Sequence, residues 1–351
     1  SNKLQQQISR FNYAKLSYEL GYQDIALNEM KKYLNDYPNS EYDTEAKEIL
    51  VSLMANTNNF ADALQLYESF DKPTASMQKV YPRILYGRAV ELINDQQIKR
   101  GDDLLTKVLA LPNSAVTPYA NFWKGEIAYR NKEYDNAIKY LSFYMLANVP
   151  AQGEANKNTA NYDLGYSWLQ KENYNKALGY FEQITKTVSV TSSAMEQDAY
   201  VRSADCYFMA SDFAKANTMY DNVINNALPQ SDYAMFQKSS IAGVKSSANK
   251  ISTLNNLLKQ YPKSNLVPDV NMEIAQTYIA DEKFMSAVPY LTNVLNDADA
   301  GGLKPRAYLK LGLVYYNTDK YDDALVNYQA LVAKYPQSSE ADEATDIMKN
   351  I

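Results

Sequence analysis

Residues 320–338 read KYDDALVNYQALVAKYPQS, and the spacing of the apolar residues in this stretch predicts an α-helix. Tyr328 lies four residues after Ala324 and Leu331 lies seven residues after it. These offsets place all three side chains on one face of a helix. A Tyr-Pro dipeptide follows, and proline ends a helix because it has no backbone N–H.

A second helical face precedes this one. Gly312 and Tyr315 lie twelve and nine residues before Ala324, and Tyr321 lies three residues before it. The two sets of offsets predict two antiparallel helices joined by a tight turn. Small residues at offsets −12 and 0 would let the helices approach closely, with bulky residues around that contact and the aromatic at −3 packed over the turn.

The same pattern occurs nine times along the chain, each time around an anchor residue equivalent to Ala324. Successive anchors are separated by 34 to 40 residues. The anchors are Ala26, Ala63, Gly101, Ala137, Ala177, Ala216, Lys250, Ala287 and Ala324. One helix pair cannot bury its apolar face, so repeated pairs are expected to stack on one another.

The joins between the pairs support this interpretation. Pro-x-Ser occurs at several of them, as at Pro38 and Ser40, where proline ends one helix and serine can cap the next. After the last join, residues 340–351 resemble the first helix of a tenth pair. We therefore expect a single solenoid over residues 7–351 with an N-terminal extension over residues 1–6, and a longer natural chain.

Composition narrows the classes of function. The 351 residues carry a net charge of −6, which gives no reason to expect a nucleic-acid partner. Histidine is absent and there is one cysteine, Cys206, so the usual metal ligands and the commonest general base are missing. We expect no catalytic residue, no cofactor and no metal. Since no long apolar run exists, we also expect no membrane-spanning segment.

This pattern resembles the tetratricopeptide repeat family over essentially the whole chain. The match is strongest around Gly312, Tyr321, Ala324 and Tyr328. The resemblance implies an all-α fold, a right-handed superhelix of about nine helix-turn-helix repeats. The joins at 36–46 and 334–344 are similar to those of bacterial envelope proteins with this repeat, which implies the periplasm or cell envelope.

The resemblance also implies that the first helix of each pair lines a concave groove. The side chains expected there lie 18, 15, 11 and 8 residues before each anchor, and Trp123 is expected beside them. An aromatic surface with a few acids is typical of protein-interaction sites. The candidate peptide-binding residues are Tyr86, Tyr119, Phe122, Trp123, Tyr129, Tyr162, Tyr166, Asp205 and Phe208.

The predicted function is therefore non-catalytic binding of a protein or peptide. An extended or helical peptide with apolar and basic residues would suit an aromatic groove with acids. Two alternatives remain open. The aromatic residues could stack on glycans or cell-wall sugars, or the repeats could dock an enzyme whose catalytic part lies outside this sequence.

Overall fold

The computed structural model describes residues 2–351, and they form nineteen α-helices. The order matches the sequence prediction of nine helix pairs and one further helix. The first helices of the pairs are α1 (Asn2–Glu19), α3 (Asp43–Asn56), α5 (Ala75–Asn94), α7 (Thr117–Arg130), α9 (Lys157–Gln170), α11 (Ala194–Met209), α13 (Ser231–Lys245), α15 (Val267–Ala280) and α17 (Leu303–Tyr316). The second helices are α2 (Gln23–Asp36), α4 (Phe60–Glu68), α6 (Ile98–Ala110), α8 (Tyr134–Leu146), α10 (Tyr174–Ile184), α12 (Phe213–Asn225), α14 (Ser247–Gln260), α16 (Phe284–Asn296) and α18 (Tyr321–Lys334). The additional helix is α19 (Ser339–Met348). Because α1 begins at Asn2, the described residues of the expected N-terminal extension belong to the first helix.

The chain divides into two compact units. Unit 1 extends to Tyr180 and unit 2 is Phe181–Ile351, so the division falls within α10. Within each unit, consecutive helices pack in an antiparallel series around an apolar core. The two units are described separately below.

The anchor residues form the closest contacts within the pairs, as the repeat predicts. Eight of the nine are fully enclosed in the described core. In the last pair, the α-carbon of Gly312 lies directly against the ring of Tyr328, a fully buried side chain. The exception is Lys250, which is half-buried and forms an ion pair with Glu273. In that pair Gly243 supplies the small residue that faces Lys250.

The tight turns follow one backbone design in eight of the nine pairs. The residue five positions before the anchor has a positive φ, and the next amide donates to the carbonyl five residues back, as Asn59 does to Met54 at 2.8 Å. This hydrogen bond closes the end of the first helix. The positive-φ residues are Gly21, Asn58, Gln96, Lys132, Glu172, Ser211, Glu282 and Asp319. The seventh pair uses Ser246 as its joining residue instead, and its side chain accepts from the Asn249 amide.

The long join after α8 is held in place by two tyrosine side chains. The Tyr119 hydroxyl donates to the Pro150 carbonyl at 2.8 Å, and the Tyr144 hydroxyl donates to the Ala155 carbonyl at 3.1 Å. Two backbone hydrogen bonds between Gln152 and Ala155 close the loop on itself. Its proline, glycine and asparagines favour a flexible loop in the sequence, but the hydroxyl contacts fix it to the helices.

Candidate functional site: a groove on the first helices of unit 1

The groove consists of two adjoining pockets on α3, α5 and α7. The larger pocket has a volume of about 560 Å³ and the smaller one about 420 Å³. Both are lined by Arg83 and Val116, so they form one continuous surface. In the third pair, three of the four positions that the family resemblance assigns to the groove, Arg83, Tyr86 and Val90, line the larger pocket.

The larger pocket has an apolar wall made by Tyr86, Val90 and Trp123. Trp123 is only 5% exposed and packs edge-on against Phe122, with ring centroids 5.5 Å apart. Burial raises the pKa of Tyr86 to about 12, and a hydrogen bond with Trp123 partly opposes that shift. Tyr86 therefore stays neutral at physiological pH, and this wall can contact an apolar side chain without introducing charge.

The rim of the same pocket is rich in side-chain amides. Asn58, Asn94 and Gln152 all line it, and Gln152 comes from the loop that Tyr119 and Tyr144 hold. An amide side chain both donates and accepts hydrogen bonds, as a peptide backbone does. The geometry thus combines an apolar wall with groups that can pair with an extended main chain.

Arg83 lies where the two pockets meet. Its guanidinium donates to the Asn56 side chain at 3.2 Å, which orients the charge along the groove. The smaller pocket adds Lys79 and the hydroxyls of Ser52 and Ser114. This half of the groove therefore adds positive charge and hydroxyl groups to a lining that is otherwise mainly apolar.

Two predicted groove residues lie inside the helix packing. Phe122 is fully buried and Tyr119 is 3% exposed. Phe122 packs against Tyr144 with ring centroids 5.2 Å apart, and Tyr119 lies between Tyr86 and Tyr144. These two side chains support the pocket from behind and hold its loop.

Three other predicted residues form a tyrosine cluster between α7 and α9. Tyr166 lies 4.9 Å from Tyr162 and 6.5 Å from Tyr129, measured between ring centroids. All three are half-buried. Burial raises the pKa of Tyr129, so its hydroxyl remains protonated. The structure therefore brings these three predicted residues together.

A buried carboxyl pair adjoins this cluster. Glu126 on α7 and Asp163 on α9 are 6% and 3% exposed, and Arg130 donates to Glu126 at 2.6 Å. One oxygen of each carboxyl group, Oε2 of Glu126 and Oδ2 of Asp163, is buried without a hydrogen-bond partner. Burial and a hydrogen bond with Glu126 raise the pKa of Asp163 far above its ordinary value. Asp163 therefore keeps its proton at physiological pH, which avoids a second buried negative charge beside Glu126.

In unit 2, the structure places the predicted acid Asp205 within an internal network. Its carboxylate accepts from Tyr220 at 2.5 Å, from Tyr233 at 3.0 Å and from Arg202 at 2.5 Å. Burial raises the pKa of Asp205, and the charge of Arg202 opposes that shift. These three donors satisfy the carboxylate within the fold and tie α11 to α12 and α13.

Phe208 and Cys206 also lie on α11. Phe208 is half-buried and packs against Phe213 with ring centroids 5.6 Å apart. Cys206 is 1% exposed, and burial raises the pKa of its thiol to about 12. A thiol in that environment is a poor nucleophile.

Sequence reasoning missed the amide rim. Asn94 is the last residue of α5 and Asn58 lies in the turn after α3, both outside the offsets that the resemblance assigns to the groove, and Gln152 lies in a join. The excess of amide residues at the ends of α3 and α5 is a signal that could have identified two of them. The position of Gln152 depends on tertiary contacts.

Residues 2–351 contain neither a membrane-spanning helix nor a metal-binding cluster. No helix in that range is long and apolar enough to span a membrane. The same residues contain no cluster of three or more cysteine or acidic side chains placed to hold a metal ion.

Comparison with known proteins identifies the repeat. The tetratricopeptide repeat family model matches residues 198–231 and 306–338, which are within the sixth and ninth helix pairs and the turns that follow them. No curated protein matches the sequence.

Among solved structures, human IFIT1, as a dimer with m7Gppp-AAAA, aligns with 96% of this chain and 79% of its own at 12% identity and a TM-score of 0.43. PilW, a type IV pilus biogenesis factor, aligns with 75% of this chain and 98% of its own at 14% identity and a TM-score of 0.37. PilF of Pseudomonas aeruginosa aligns with 86% of this chain and 96% of its own at 14% identity and a TM-score of 0.32. The tetratricopeptide repeat model thus matches two of the helix pairs, and the described chain as a whole is an all-α series of such pairs.

Proposed function

We propose that this protein is a non-catalytic scaffold that binds an extended peptide segment of a partner protein in the groove of unit 1. The observation that carries the proposal is the larger pocket, in which Tyr86, Val90 and Trp123 form an apolar wall beneath a rim of amide side chains. The wall would take one apolar side chain, and the amides would pair with the peptide backbone on either side of it.

The basic residues of the smaller pocket should determine the orientation in which the peptide binds. Arg83 and Lys79 make the smaller pocket positive, so an acidic residue of the peptide is favoured there. Asp205, which the sequence offers as an attractor for basic residues, already accepts hydrogen bonds from Arg202 and two tyrosines within the fold. The proposed partner segment therefore carries an apolar residue followed or preceded by an acidic one.

The glycan alternative receives less support from the geometry. Sugar stacking needs an open aromatic face, but Trp123 is 5% exposed and the Lys176 ammonium lies 3.9 Å above the ring of Trp168.

We also propose that the scaffold works in a bacterial cell envelope. This location rests on the joins of the repeat, and fractionation of cells that express the natural full-length chain would test it.

Selection of peptides from a phage-displayed random library tests the proposed groove. We expect selected peptides to share an apolar residue next to an acidic one, and Val90→Glu to weaken their binding at least about tenfold, because it places a charge on the apolar wall. Lys99→Glu, an exposed change on α6 outside the pocket, is the matched control. Failure to select any peptide, or equal binding by both variants, would refute the proposal.

A further inference from the structure

Unit 2 contains a pocket that is separate from the groove and lies between the last turn of α10, the helix α11 and the start of α12. Its volume is about 380 Å³, a size typical of sites that enclose a small ligand. The lining residues include Glu182, Tyr200, Ser203, Tyr207 and Met219. Helix pairs precede and follow these residues in the sequence, so the pocket is not open merely because the sequence ends there. We call it the α11 pocket.

Two tyrosines and one carboxyl group determine the chemistry of the α11 pocket. Tyr200 is 4% exposed and Tyr207 is half-buried, and they form an apolar wall together with Met219. The Tyr207 hydroxyl donates to Oε1 of Glu182 at 2.8 Å, and no other described residue donates to this carboxyl group. Burial and this hydrogen bond raise the pKa of Tyr207 to about 12, so its phenol stays protonated. Glu182 can therefore accept a second hydrogen bond, from a ligand.

Two lysines at the rim limit the charge that a ligand can carry. Lys186 is exposed at the end of α10, and the Lys215 ammonium lies 5.0 Å from the ring centroid of Tyr207. These lysines disfavour a cation in the pocket, and Glu182 disfavours an anion beside it. The ligand that fits is a neutral group with an apolar body and one hydrogen-bond donor.

The eighth helix pair shows which group fills the equivalent space. Its residue three positions after the anchor, where the sixth pair has Met219, is Tyr290. The Tyr290 hydroxyl donates at 3.2 Å to Asn255 of the preceding pair, which is at the position equivalent to Glu182. The Tyr290 ring lies 5.8 Å from that of Tyr278 on α15, measured between centroids. A tyrosine of the chain itself therefore occupies this space in the eighth pair.

A shared contact supports the equivalence of the sixth and eighth pairs. In the sixth pair, the Asn222 side chain donates to the Tyr200 hydroxyl at 2.9 Å. In the eighth pair, Asn293 donates to the Asn271 side chain at 3.3 Å. Asn222 and Asn293 lie six residues after their anchors, and the two acceptors lie sixteen residues before them. The first and second helices of these pairs are thus joined at the same positions.

The sixth pair has smaller side chains at two positions around this space. Met219 stands where the eighth pair has Tyr290, and Ser203 stands where it has the fully buried Ile274. The missing volume is that of an aromatic ring and part of an aliphatic side chain. The α11 pocket is therefore the space that a tyrosine fills two pairs later, with a carboxylate at its base instead of an amide.

We propose that the α11 pocket binds a tyrosine side chain of a partner protein. The ring lies against Tyr200 and Tyr207, since aromatic pairs are favourable in tilted and edge-on arrangements, and its hydroxyl donates to Glu182. The pocket opens between exposed lysine side chains, so this tyrosine can enter from solvent. The site shares no residue with the groove of unit 1 and is a second contact point of the scaffold.

Fluorine NMR with an end-blocked Gly-Tyr-Gly peptide, fluorinated on the ring, tests the site because only the probe gives signals. We expect saturable binding, and at least about tenfold weaker binding of the matching Gly-Phe-Gly peptide, which cannot donate to Glu182. Met219→Tyr should abolish binding without changing the circular dichroism spectrum, because the new ring fills the pocket as Tyr290 does. Met285→Tyr, at an exposed residue of α16, is the matched control and should bind normally.

A second variant tests the hydrogen bond itself. Glu182→Leu should retain weak binding but lose the preference for tyrosine over phenylalanine. Val90→Glu should bind the tyrosine peptide normally, which separates this site from the groove. No saturable binding by the wild-type chain, equal binding of the two peptides, or unchanged binding by Met219→Tyr overturns the proposal.

Two further measurements test the source of the tyrosine. Tighter binding of free fluorotyrosine than of the peptide would identify a small-molecule site. Loss of peptide binding in the natural full-length chain would show that another segment of the same protein fills the pocket. Either result overturns the assignment to a partner protein, whereas peptide binding by both chains supports it.

Discussion

Replacement of Gly312 by alanine should destabilise unit 2. A Cβ atom at this position would lie 2.2 Å from Cε1 of Tyr328, whereas carbon atoms in contact are about 3.5–4.0 Å apart. Tyr328 is fully buried and cannot swing outward. Overpacking of this kind costs about 1–3 kcal/mol, and the higher helix propensity of alanine returns about 1 kcal/mol. The net expectation is a free energy of unfolding lowered by up to about 2 kcal/mol.

Urea unfolding followed by circular dichroism measures this change, and Gly179→Ala provides its control. Both are glycine-to-alanine changes within helices, but no atom lies within 4 Å of a Cβ at position 179. That variant should gain up to about 1 kcal/mol from helix propensity. The two variants should therefore shift in opposite directions. If Gly312→Ala is as stable as Gly179→Ala, the close contact between Gly312 and Tyr328 does not require glycine at position 312.

Asp163, Cys206 and Tyr119 provide three further tests of the structure. Asp163 holds a proton in the folded state that the unfolded chain releases near the ordinary carboxyl pKa, so stability should fall as pH rises above that value. Asp163→Asn should flatten this dependence in unfolding experiments from pH 5 to 9, and an unchanged slope would exclude a protonated Asp163 in the folded state. Cys206 should react with a thiol reagent only after unfolding, since it is buried and its pKa is about 12; fast labelling of the native chain would contradict this. Tyr119→Phe should increase hydrogen exchange of the amides near Pro150, because it removes the hydroxyl that holds the loop, while exchange elsewhere in unit 1 serves as the control.

The helix pairs could be predicted from the sequence because their determinants are local and repeated. The spacing of Ala324, Tyr328 and Leu331 alone predicts one helical face, and all three side chains are buried in the structure. The pair around Lys250 is also predictable, even though its anchor is charged, because the spacing of the neighbouring pairs fixes its position along the chain.

The groove could be predicted only in part. Offsets from the anchor identified Tyr86 and Val90, which line the larger pocket. They could not distinguish an exposed ring from a supporting one, because burial depends on neighbouring elements. Phe122 is covered by Tyr144, and Asp205 accepts a hydrogen bond from Tyr233 on a different helix. Such contacts have no signature in the spacing of a single repeat.

The turns have a practical consequence for measurement. Their shape comes from a backbone hydrogen bond, so it does not depend on one residue type, and the positive-φ residue is exposed in all eight of them. In unit 1 these positions mark consecutive pairs from Asn58 to Glu172, and in unit 2 they mark the sixth, eighth and ninth pairs at Ser211, Glu282 and Asp319. Fluorophores or spin labels attached there would sit at graduated intervals, so distances between labelled turns would record any bending of a unit when it takes up a ligand.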